Sequence, residues 1–117
     1  MKTVSRLAAQ GDVIFKRVSE LPKDATEVKG KSARIVAHSE TGHHHTVEGK
    51  GVRVFSTPDP LKSFLVFTGP HADIVHRRSW DTHETLRLLR GDHEGEVVFE
   101  IGRQREWAPE GWRRVED

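Results

Sequence analysis

The chain has 117 residues, 34% of them apolar and 32% charged, and 19 Lys and Arg against 18 Asp and Glu leave a formal net charge of +1. This length fits one domain with a thin core and a charged surface, and the balanced charge excludes a wholesale polycation. The absence of cysteine excludes disulfides and thiolate metal centres.

Met1 to Gln10 carries Lys2 and Arg6 and lacks the apolar run of a signal peptide. It is expected as a short helix or a loose arm. No run approaches about 18 apolar residues, so no membrane span is predicted, and a disulfide-free domain of this kind is expected in the cytoplasm. Val13 to Val18 is rich in β-formers and reads as the first strand. Leu21 to Glu27 has neither period and reads as a loop, with Pro22 against a helix. Ala33 to His38 is the next strand, followed by turn chemistry at Ser39 to Gly42. His43 to Glu48, Gly49 to Gly51 and Val52 to Phe55 read as strand, glycine turn and strand.

Thr57 to Pro60 is a break, and Ser63 to Thr68 is the most apolar run and the expected central strand. Ala72 to His76 is another strand. Asp81 to Gly91 reads two ways. Asp81 with Glu84 resembles a capping box and Gly91 a helix stop, while Leu86 and Leu88 around Arg87 alternate as in a strand. Glu96 to Ile101 is a strand with Val97, Phe99 and Ile101 on one face, which Gln104 to Trp107 would continue. Trp112 to Val115 would form a last short strand. The expectation is mainly β: one small antiparallel β-sandwich or barrel over residues 1–117, with seven or eight strands and at most one or two short helices. Residues 1–10 are a candidate arm and 108–117 a tail.

The densest chemistry is Thr41-Gly42-His43-His44-His45, within a chain holding 8 histidines. On a strand His43 and His45 share a face and His44 takes the other. An H-x-H pair on one face places two imidazoles about 7 Å apart along the strand, within reach of one divalent metal such as zinc or iron. A further ligand would come from His83 or His76, with Asp81 and Glu84 beside His83 as candidate bases. Glu48 falls on the His44 face. Ligation needs neutral imidazole, so affinity should fall below about pH 6. A solvated polar loop accounts for the same residues without a metal.

Gln10-Gly11-Asp12-Val13, Thr41-Gly42-His43-His44-His45, the His76 to His83-Glu84 segment and Gln104-Arg105-Glu106-Trp107 together resemble a group of small bacterial and phage proteins. That group carries Q-G-D-V, T-G-H-x-H, H-x-x-H and Q-R-E-Y motifs and has no assigned activity. The resemblance implies a shared constellation of His43, His45, His76 and His83. Two departures stand out: six residues, not two, separate His76 from His83, and Trp107 replaces the closing Tyr. The H-x-H pair is also similar, at the level of architecture only, to the first metal motif of cupins.

Two other readings are open. Arg103, Arg105, Trp107 and Arg113 interleave guanidinium with indole, a combination that binds phosphate and stacks on unpaired bases of RNA or single-stranded DNA. The same aromatics pack equally well as structural residues. An accessory protein that contacts a partner chain, or a homo-oligomer, fits the charged surface. No nucleophile elbow, P-loop or HExxH motif is present.

Overall fold

The computed structural model describes residues 1–37, 44–76 and 83–103, His83 through its backbone alone. Among these residues the chain forms eleven strands. They are β1 (Lys2–Val4), β2 (Leu7–Gln10), β3 (Val13–Val18), β4 (Thr26–Glu27), β5 (Ile35–Ala37) and β6 (His45–Gly49). β7 (Arg53–Ser56), β8 (Ser63–Phe67), β9 (His71–His76), β10 (His83–Leu89) and β11 (Val97–Arg103) complete the set. One 3-10 turn, Gly30–Ser32, precedes β5. Two sheets form, in the orders β1-β10-β9-β6-β5 and β2-β3-β11-β8-β7-β4. All pairings between described strands are antiparallel except β1 with β10. The protein is a small β-sandwich.

Period-two alternation drives this result. In β8, Leu65 and Phe67 face the inner core, while Phe64 and Val66 face the outside of the second sheet. In β11, Val97, Phe99 and Ile101 point inward as their spacing predicts. The first sheet contributes Val47, Ile74, Leu86 and Leu88, all essentially inaccessible. The outward apolar residues do not face water. Val18, Leu21 and Ala25 pack over Phe55, Phe64, Val66 and Val98, so the segment after β3 covers that sheet.

Two expectations need correction, and one segment left open between helix and strand is decided. The first ten residues are strands, neither helix nor loose arm: β2 pairs with β3, and β1 lies parallel to β10. The segment from His83 is a strand, because alternation brings Leu86 and Leu88 inward and leaves Arg87 outside, where it pairs with Asp73. Three elements not read as strands, β1, β2 and β4, lift the strand number above the seven or eight read from the sequence. The extension through Gln104 to Trp107, the strand at Trp112 to Val115 and the tail 108–117 lie outside the described residues.

Connectivity then gathers the sequence motifs. Ala37 pairs with His45, His45 with His76, and His76 with His83. On the second sheet Gln10 pairs with Val13 and Arg103 with Val13. The residues that flank the undescribed segments therefore share one end of the sandwich with the Gly11-Asp12 turn.

Candidate functional site at the histidine end

His45 opens β6 and His76 closes β9, and antiparallel pairing sets them directly opposite one another. Both face the space between the sheets, on the same rows as Val47 and Ile74, and each is 4% exposed. Their rings stack with centroids 3.8 Å apart and planes inclined by 17°. His83 begins β10 opposite His76, so three histidines lie at one level across three adjacent strands. The pairing slips between His83 and Leu86, a bulge that accommodates an extra residue on β10.

Gln10 reaches this row from the other sheet. It ends β2, is 4% exposed, and donates its amide Nε2 to the carbonyls of Ile74 at 2.9 Å and Glu84 at 3.0 Å. Two carbonyl acceptors leave only one orientation for the amide, with nitrogen toward them. Its Oε1 therefore faces His45 Nδ1 at 2.8 Å and accepts that proton. The hydrogen bond selects the Nδ1–H tautomer, in which Nε2 carries the lone pair. This is the arrangement by which a neighbouring oxygen prepares an imidazole for ligation or proton transfer. Gly11, at φ 65°, makes the tight two-residue turn that ends β2 at Gln10.

Of the residues named from the sequence, His45 and His76 meet, and His83 joins them by register. His76 and His83 pair across the β9–β10 ladder although six residues separate them in the sequence. His43 and Asp81 lie outside the described residues. His44 precedes β6 and is half-buried. Glu84 has a side chain 61% exposed and meets the row only through its backbone carbonyl. Glu48 is exposed, as its position in the alternation implies. Among the described residues no group of three metal-ligating side chains comes together. Arg103 ends β11 and pairs with Asp12 at 3.2 Å, while Arg105, Trp107 and Arg113 lie outside the described residues.

Sequence reasoning missed the role of Gln10. Its only signal there is its place at the head of the Gln-Gly-Asp-Val motif. Behind the row, on the outer face of β9, Arg87 grips Asp73 through two hydrogen bonds of 2.8 and 2.9 Å. Those bonds, more than the nearby charges, hold the Asp73 carboxyl below its ordinary value.

No helix among the described residues is long and apolar enough to cross a membrane. No curated protein and no solved structure matches the chain. Residues 9–96 match a family model, a stretch that runs from the end of β2 to the start of β11 and takes in Gln10, His45, His76 and His83. By that match over most of its length, the chain belongs to the family described as Domain of unknown function (DUF8820).

Proposed function

We propose that the histidine end of the sandwich binds a divalent metal, zinc or ferrous iron, through His45, His76 and His83, with His43 as a further ligand. The observation that carries this reading is the in-register row His45–His76–His83 beside a glutamine that selects the His45 tautomer. Three imidazoles on three strands form a donor set typical of zinc and non-haem iron, and no cysteine competes. The rings of His45 and His76 stack nearly parallel, so their in-plane lone pairs do not converge on one point. Binding one ion therefore requires one ring to tilt.

Motifs of the resembled bacterial and phage group fall on these same residues, which gives the Gln-Gly-Asp-Val opening a chemical purpose: it supplies the orienting amide. Arg103 is engaged with Asp12. Nothing in the described structure favours the nucleic-acid reading over the histidine one. A metal held by histidines with a remaining open position would polarise water or a carbonyl.

Metal analysis of protein loaded with zinc or ferrous iron at neutral pH tests the reading. Stoichiometric retention by the wild type, lost in His45→Ala with His76→Ala, is expected. X-ray absorption should report nitrogen donors of imidazole type. A wild-type protein that retains neither metal after loading would overturn the assignment. Equal retention by the double variant would overturn it as well.

A further inference from the structure

At the opposite end of the sandwich, the β1–β2 link, the end of β3 and the β10–β11 connection enclose a cleft of about 560 Å³. Arg6, Arg17 and Arg90 line it, and Asp92 is the one carboxylate among the described lining residues. Two of these arginines serve the fold. Arg17 donates Nη1 to the carbonyls of Ser5 and Leu89 at 3.1 Å each, and Nη2 to that of Arg90 at 3.0 Å. Arg90 donates to the carbonyls of Gly69, His93, Gly95 and Thr68. Carbonyls satisfy N–H groups but bring no negative charge, and among the described residues neither guanidinium pairs with a carboxylate.

Burial, then repulsion from Arg6 and Arg90, hold Arg17 below the usual arginine value. Arg6 is exposed and makes no side-chain hydrogen bond or ion pair among the described residues. Nη2 of Arg17 and Nη2 of Arg90 each retain one N–H beyond the bonds they make to carbonyls. The end thus presents two immobilised cations beside a third that is unconstrained.

We propose that this cleft binds a phosphate-bearing small molecule, with Arg6 closing over an oxyanion held at Arg17. The N–H groups left on Arg17 and Arg90 can each donate a charge-assisted hydrogen bond to a phosphate oxygen, and arginines already pinned by carbonyls lose little freedom on binding. The cleft falls within the size range of small-molecule sites and exceeds what a bare phosphate fills. Val18 and Val98 offer apolar wall for the remainder of the ligand.

Calorimetric titration of the whole chain, at low ionic strength with EDTA present, tests this independently of the metal reading. The probes are inorganic phosphate, a nucleoside 5′-monophosphate, the parent nucleoside and acetate. Saturable binding of phosphate and of the monophosphate is expected, the ester binding tighter, with none for the nucleoside. Arg6→Gln should weaken phosphate binding by roughly tenfold without lowering the thermal midpoint, because among the described residues its side chain makes no hydrogen bond or ion pair and only repels Arg17. If phosphate affinity exceeds that of the ester, the site takes free anion rather than a phosphorylated molecule, and the ligand assignment falls. Absence of saturable phosphate binding, acetate binding as tightly as phosphate, or an Arg6→Gln protein that binds like the wild type would each overturn the proposal.

Discussion

A buried amide that gives both N–H groups to carbonyls has only its oxygen left to offer, and at Gln10 that oxygen meets His45. One side chain thus ties β2 of the second sheet to β6, β9 and β10 of the first. Gln10→Ala removes the donor to the Ile74 and Glu84 carbonyls and the acceptor for His45 Nδ1 together. The expected loss is about 1–3 kcal/mol of unfolding free energy in urea titration. If the metal reading holds, the same variant should bind metal roughly 10- to 100-fold more weakly, since the tautomer is no longer selected. Unchanged stability would mean the amide is not the clamp described.

Asp73 tests a different kind of residue. Its folded value lies below the ordinary one, so its ionised form stabilises the fold at pH values above 3.8. As pH falls below that point, the unfolded chain takes up the proton more readily and the contribution is lost. Asp73→Asn should therefore be less stable than the wild type at neutral pH, and the gap should narrow in acid. Parallel denaturation curves at neutral and acid pH would show it. A gap that widens in acid would contradict the assignment to the Arg87 pair.

At the scale of the element, the β6–β7 and β10 segments show what holds the strands in place. Gly51 sits at φ +67°, and a Cβ there would lie 1.9 Å from Thr68 Oγ1. Gly51→Ala combines left-handed strain with a clash against the neighbouring hairpin. The expected cost is about 1–3 kcal/mol, read as a lowered thermal midpoint. Leu88 is fully buried and Leu89 faces away from that core. Leu88→Ala should cost about 2–5 kcal/mol, and Leu89→Ala clearly less. A helical β10 segment would not separate the two leucines in this way, so the comparison also tests the strand.

The same elements mark what the sequence made legible. β8 and β11 could be read because alternation in them is strict and local. The His83 to Leu89 segment was ambiguous because three leucines within four positions satisfy both periods, and pairing with β9 decides between them. β1 could not be read at all: Lys2 to Val4 becomes a strand only beside Leu86 to Leu88, a partner far along the chain. His45 and His76 were legible as chemistry, but their direct opposition depended on register. Gln10 was invisible as a site residue because its three partners lie 35, 64 and 74 positions away.

For the whole molecule, the decisive fact is that the chain changes sheet repeatedly, so its two ends carry different chemistry. One end holds stacked imidazoles with a buried amide, and the other holds a cleft lined by three arginines. The histidine row spans three of the five strands of its sheet and is tied to the other sheet through Gln10. An ion bound there would cross-link both layers at once. Anything that binds the folded state and not the unfolded one raises stability in proportion to its occupancy. Zinc or ferrous iron should therefore raise the thermal midpoint in a concentration-dependent way, and EDTA should reverse the gain. Protons compete with metal for imidazole nitrogen, so the gain should fade as pH drops through the ordinary imidazole range of about 6 to 6.5. The control lies in the chemistry of the other end. Arg6→Gln should leave the metal-dependent rise intact, and His45→Ala should abolish it while leaving phosphate binding alone. A midpoint that ignores metal at neutral pH would reduce the histidine pair to a packed element of the core.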